Sequence, residues 1–113
     1  MPATDRPGFR EALARGPILL DAAMGTRLVA QGLDLASDDP CRWVIEHPGE
    51  VLEIHRRDVE SGSKALLTNT FGANRVWLAR YDKADEVRSI NQQAVDLARR
   101  AAGSDRNTTP SAA

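Results

Sequence analysis

The 113-residue sequence holds a single cysteine, Cys41. One thiol excludes an internal disulfide and any metal site built from several cysteines, and it suits a reducing, cytoplasmic setting. Excess positive charge is missing as well. Fifteen Lys+Arg stand against 16 Asp+Glu, for a net charge of −1, so nothing is left over to neutralise a polyanion and no nucleic-acid partner is expected. No apolar run approaches the ~20 residues that a membrane span requires. The stretch from Met1 to Gly16 mixes Asp5 and Glu11 with arginines around no apolar centre, which does not make a secretory signal. Repeats and low-complexity segments are absent too. A hydrophobic content of 42% fits one globular domain at most, with a modest core.

The chain is organised around Pro17-Ile18-Leu19-Leu20-Asp21-Ala22-Ala23-Met24-Gly25-Thr26. Pro17 to Leu20 is a short apolar run of the kind a strand buried on both faces shows, and it ends abruptly in a carboxylate. A tight turn and a short helical pattern, Arg27 to Gln31, follow before Gly32. Asp21 therefore sits at the carboxyl end of a predicted strand, where parallel α/β folds bind ligands and place catalytic groups. Asp is also a common cap and turn former, and position alone does not separate the two roles.

Upstream, Met1 to Gly8 reads as a loose arm, and Phe9, Ala12 and Leu13 have helical spacing before Gly16. Downstream, Asp38-Asp39-Pro40 marks a turn, and Trp43 reads as a packing anchor rather than a ligand stacker. Pro48 opens a helix with Val51, Leu52, His55 and Val59 on one face, stopped by Gly62. No Cys or second His stands at a matching spacing to His55, so it reads as a helix-packing residue. Lys64 to Thr70 is a second strand that also turns polar at its carboxyl end. A helical connection between two strands implies parallel pairing, which brings Asp21 and Thr68 to Phe71 to the same rim. Asp82 and Asp85 read as the cap of a final helix whose stripe is Val87, Ile90, Ala94, Leu97 and Ala101. From Gly103 the sequence lacks periodicity and is expected to be disordered. Two strands with helices outside leave apolar strand faces and a sheet edge uncovered, which invites self-association.

Asp21-Ala22-Ala23-Met24-Gly25-Thr26 resembles the Asp-Gly-Ala-Met-Gly-Thr signature that opens the homocysteine S-methyltransferase domain. Pro48 to Gly62 is similar to the family's helix before the second barrel strand, and Thr68-Asn69-Thr70-Phe71-Gly72-Ala73-Asn74-Arg75 to its Thr-Asn-Thr-Phe/Tyr-x-Ala-Asn segment. The resemblance runs from about Gly16 to about Ala102. It implies the amino-terminal portion of a (β/α)8 TIM barrel, truncated after about two βα units, since a complete barrel needs about 250 residues. On this reading residues 1–16 are an arm and short helix, 17–102 a partial barrel domain and 103–113 a disordered tail.

The resemblance further implies methyl transfer to the thiol of homocysteine to form methionine, with methyl-cobalamin or methyltetrahydrofolate chemistry, S-methylmethionine or betaine as donor. Zinc in the full-length family binds the thiol and favours its thiolate. The family's three zinc cysteines lie in the later barrel; Cys41 matches none of them, so no cofactor is expected in this chain and it is expected to be catalytically incomplete alone. Asp21 matches the aspartate that receives the amino group of homocysteine, as a charge-assisted pair would. Gly25 and Thr26 match the turn near the amino-acid carboxylate, and Thr68, Asn69 and Thr70 match residues on the site rim. Ala22 replaces the usual glycine and is harmful only if that position has positive φ. The alternatives are a non-catalytic amino-acid-binding or partner-completed module, or a gene remnant.

Overall fold

The computed structural model describes residues 8–103 and 109–111. Helix α1 (Phe9–Ala14) leads to the Asp21 segment and α2 (Gly25–Ala30). A 3-10 turn at Pro40–Arg42 runs into α3 (Trp43–Glu46) and then α4 (Pro48–Glu60). Strand β1 (Ala65–Leu67), α5 (Arg75–Leu78), α6 (Val87–Ala102) and β2 (Thr109–Ser111) complete the chain.

The core lies between the two long helices and the strands. Helix α4 starts with Pro48 in its first turn, where a missing N–H leaves no bond unmade, and is followed by Gly62 at φ +106°. Its buried face is Val51, Leu52, Ile54, His55, Asp58 and Val59. That face packs chiefly on α6, where Ile90 and Leu97 interdigitate among Ala94, Ala98, Ala101 and Ala102. Small residues let the two helices approach closely. Trp43 is buried and its ring lies 4.1 Å from that of His47, in keeping with a packing role. His55 is fully buried on the core face, and neither of its ring nitrogens has a hydrogen-bond partner among the described residues.

Four sequence expectations change. The strand over Pro17–Leu20 contracts to one parallel bridge, Leu20 to Ala65, supported by Lys64 N–H donating to the Leu19 carbonyl at 2.7 Å. Leu19 and Leu20 are 61% and 48% exposed rather than buried on both faces, because β1 is their one neighbouring strand among the described residues. The second strand is likewise shorter than Lys64–Thr70. Thr70 N–H bonds back to the Thr68 carbonyl at 2.8 Å, a tight turn that pulls the backbone off the ladder after Leu67.

The final helix is not capped by Asp82 or Asp85. Lys83 N–H bonds to the Leu78 carbonyl at 2.9 Å, which reverses the chain at Asp82 (φ 57°) and draws Asp85 into a 3-10 turn. Glu86 stands at the α6 N-cap without a side-chain cap bond.

Thr109–Ser111, placed by the sequence in a disordered tail, forms β2, parallel to β1 with Ala65 opposite Thr109 and Leu67 opposite Ser111. Three residues carry no readable periodicity, yet they satisfy backbone groups that β1 would otherwise leave unpaired. Residues 104–108 and 112–113 of that tail, and residues 1–7 of the arm, lie outside the described residues. Since Ala65 pairs with both Leu20 and Thr109, β1 sits between the Asp21 segment and β2. Three parallel segments in chain order, joined through helices, are the opening pattern of a βα-repeat architecture.

Candidate functional site

Asp21 follows directly on the bridge residue Leu20, so its side chain leaves the backbone at the carboxyl end of the parallel pair. Its Oδ2 accepts the Leu67 N–H at 3.1 Å. The carboxylate thus takes a β1 donor that a longer first strand would have satisfied with a backbone carbonyl. Oδ1 is buried and has no hydrogen-bond partner among the described residues. Burial pushes the Asp21 carboxyl above the usual range; the Leu67 N–H opposes this and the negative charge of Asp58 adds to it.

Asp21 opens into a cleft of about 290 Å³ lined by Asp21, Ala22, Ala23, Met24, Leu67, Thr68, Asn69 and Phe71. Of the sequence-predicted site residues, the fold therefore brings Asp21, Thr68 and Asn69 together. Gly25 lines a second cavity of about 270 Å³, which shares Met24, Asn69 and Phe71 with the first. Thr26 is exposed on α2 and lines neither cavity. Thr70 also lines neither; its hydroxyl is 2.8 Å from that of Thr68 and steadies the turn. Asn69 donates to the Pro40 carbonyl at 2.7 Å, tying the strand end to the 3-10 turn. Asp82 is the one non-glycine with positive φ among the described residues, so Ala22 occupies its turn without backbone strain.

The second cavity holds residues that the sequence did not single out for a site: Met24, Asp39 and Trp77, together with Cys41. Asp39 is buried; its Oδ1 accepts the Cys41 N–H at 3.3 Å, and burial raises its carboxyl above the ordinary range. The only available signal was the Asp-Asp-Pro turn, which says where the chain bends and nothing about what lies opposite.

These residues do not fit a zinc ion. Among the described residues no cluster of three His, Cys, Asp or Glu side chains could hold a metal. Cys41 is buried and accepts the Gly72 N–H at 3.1 Å, and burial pushes its thiol up to about 11, away from the thiolate a zinc ligand must be. Among the described residues no helix is long and apolar enough to cross a membrane.

Parallel segments joined through helices, with an incompletely paired carboxylate at a strand end beside a small cleft, place the chain in the α/β class. The homocysteine S-methyltransferase family model matches residues 18–111, and the chain belongs to that family. It is 42% identical over 107 residues to a methionine synthase of Mycobacterium leprae, covering 88% of this chain and 8% of that protein. A methionine synthase of Mycobacterium tuberculosis is 40% identical over 99 residues, again 81% of this chain against 8% of the relative. The crystal structure of the homocysteine methyltransferase MmuM from Escherichia coli in its metallated form superposes with a TM-score of 0.75 at 26% identity, over 91% of this chain and 39% of that one. The chain thus spans less than a tenth of the length of the two methionine synthases. The match reaches past Ala102 to include β2.

Proposed function

We propose that this chain is the amino-terminal part of a homocysteine S-methyltransferase barrel, with residues 17–102 as its working unit and β2 as the start of the next. In the complete enzyme a methyl group passes to the thiol of homocysteine, and this part receives the amino-acid end of the substrate. The Asp21 carboxylate pairs with the substrate ammonium, while Thr68 and Asn69 line the cleft beside it. Gly25 and Thr26 open α2 next to the Asp21 segment, and Thr70 belongs to the turn after β1. Zinc and the methyl donor are handled by parts of the enzyme outside this chain.

One observation carries the reading: Asp21 Oδ1 is buried at a parallel strand end with no partner among the described residues, within the range that the family model matches. An ammonium would supply the missing donor and offset the desolvation of the carboxylate. The test is calorimetric titration of homocysteine into the chain and into Asp21→Asn, which keeps the shape and one acceptor but loses the charge. Losing a charge-assisted pair in a partly enclosed site costs on the order of 2–4 kcal/mol, or roughly 30- to 700-fold in Kd. Equal affinities for the two proteins would sink the role of Asp21.

A second reading rests on Leu19 and Leu20, which lie 61% and 48% exposed beside the site. A chain acting as an amino-acid-binding module would acquire its missing wall from a partner that covers them. Methyl transfer by an equimolar mixture of the chain and a separately made remainder of the barrel would favour this over a covalently continuous enzyme.

A further inference from the structure

The Arg27 guanidinium is committed to the turn that carries Asp21. Its Nε donates to the Ala23 carbonyl at 2.7 Å and its Nη2 to the Ala22 carbonyl at 3.0 Å. The same group faces Asp58 on α4 as a fork, Nη1 to Oδ1 at 2.8 Å and Nη2 to Oδ2 at 2.7 Å. The side chains of Arg27 and Asp58 are 29% and 8% exposed, so the pair is shielded on the Asp58 side. Ala22 and Ala23 are the two residues after Asp21, and α4 is the helix that leads into β1. One planar group therefore joins the site turn to the element that delivers the opposite strand. A lysine cannot reproduce this, because an ammonium is a point charge without a fork. An exposed ion pair on one helix, such as Glu53 with Arg57, contributes little and constrains nothing distant. The Arg27–Asp58 pair instead spans 31 positions of sequence.

The charges around Asp21 have the same origin. Asp58 and Arg27 are the two that act on its carboxyl, in opposite directions, and His55 next to them on α4 is held neutral by burial. Without Arg27, the negative charge of Asp58 would act on Asp21 unopposed by a neighbouring cation.

We propose that Arg27, locked by Asp58, is a positioning residue for the Asp21 carboxylate: it holds the Ala22–Ala23 turn so that Oδ2 stays on the Leu67 N–H and Asp21 stays in the cleft wall. The consequence for ligand binding rests on the reading of Asp21 as the ammonium site; the consequence for geometry does not.

The two parts are tested together on the whole chain with Arg27→Lys, Arg27→Gln and Asp58→Asn. Nuclear magnetic resonance follows the Asp21 carboxyl carbon and the Leu67 amide through a pH titration, with melting midpoints and homocysteine affinity measured on the same samples. In the wild type the Leu67 amide follows the Asp21 titration, since the two are hydrogen-bonded. In all three variants that coupling is expected to vanish, and homocysteine binding to weaken by about tenfold or more. Asp58→Asn separates positioning from charge. A purely electrostatic role predicts that removing the Asp58 charge lowers the Asp21 midpoint and leaves the Leu67 coupling intact. Retained coupling in Arg27→Lys and Asp58→Asn, whatever their melting points, would overturn the proposal. Should Arg27→Lys fail to fold, the near-isosteric Asp58→Asn decides. Lost coupling in variants of a chain that binds no homocysteine at all would uphold the positioning role and remove the substrate reading alone.

Discussion

A half-buried carboxylate with one enclosed, unpaired oxygen weakens the fold that carries it, and Asp21 has this character. Its pKa is raised in the folded chain above the ordinary 3.8. The fold therefore favours the neutral acid, and that stabilisation is present at low pH and lost as pH rises through the folded value. Asp21→Asn is accordingly expected to melt at the same temperature as the wild type or higher at pH 7, with the difference shrinking as the medium is acidified. A residue present for a cap would behave the opposite way. A melting point lowered by several degrees at pH 7 would assign Asp21 to the structure rather than to a ligand.

His55 carries the reverse sign. Burial depresses its pKa from 6.5 to about 4, and both ring nitrogens lack a partner among the described residues. The neutral ring's contribution is intact above pH 6.5 and is lost as pH falls from there towards 4, because the unfolded chain takes up the proton first. Over that window the loss is on the order of 2–4 kcal/mol. His55→Leu removes two unsatisfied nitrogens at similar volume, so it is expected to equal or exceed the wild type in stability at pH 7 and to flatten the acid limb. Denaturant midpoints at pH 7, 6, 5 and 4.5 for both proteins check this; parallel pH profiles would refute it.

At the scale of elements, the helices were the most legible. Val51, Leu52, His55 and Val59 share a face by spacing alone, and the structure buries them; the α6 stripe of Ile90, Ala94, Leu97 and Ala101 is equally plain. Strand limits were not legible. A run such as Pro17–Leu20 reads as a strand whether or not a neighbour pairs with it, and the extent of a strand is decided by that neighbour. β2 was invisible for the same reason. The cleft was half legible: the rule that parallel strands end on one rim brings Asp21 beside Thr68 and Asn69, but nothing local shows that Asp39 and Trp77 close over Met24 and Gly72. Gly72 exposes that hidden packing. A Cβ there would lie 2.9 Å from Trp77 Cδ1, 3.0 Å from its Nε1 and 3.5 Å from Cys41 Sγ. Gly72→Ala is thus expected to displace the indole and cost about 1–3 kcal/mol. Trp77→Ala should absorb most of that penalty in the double variant, and additive losses in urea melts would mean that the two do not meet.

The whole molecule is defined by what surrounds β1. One side of the strand is taken by Leu20 and the other by β2, so the sequence-based expectation of an open edge passes outward to the backbone of Leu19 and Leu20 and to the outer side of β2. Leu19 and Leu20 are 61% and 48% exposed, Leu67 is 40% and Phe71 is 92% exposed. Apolar side chains beside an unpaired strand form a surface that another strand can extend. In the E. coli neighbour the matched part is 39% of the chain. For the isolated chain a second copy is the nearest available cover, through the first strand rather than through the α4–α6 core, which is already closed. We expect sedimentation at increasing concentration to reveal reversible self-association, with native helical content retained throughout. Leu20→Lys places a charge on that edge without touching the core and should shift the chain to monomer by tenfold or more in dissociation constant, while Leu35→Lys, at an exposed leucine away from the strands, should change nothing. A chain that stays monomeric at several hundred micromolar, or an association equally insensitive to both substitutions, would show that the exposed first strand is not an interface.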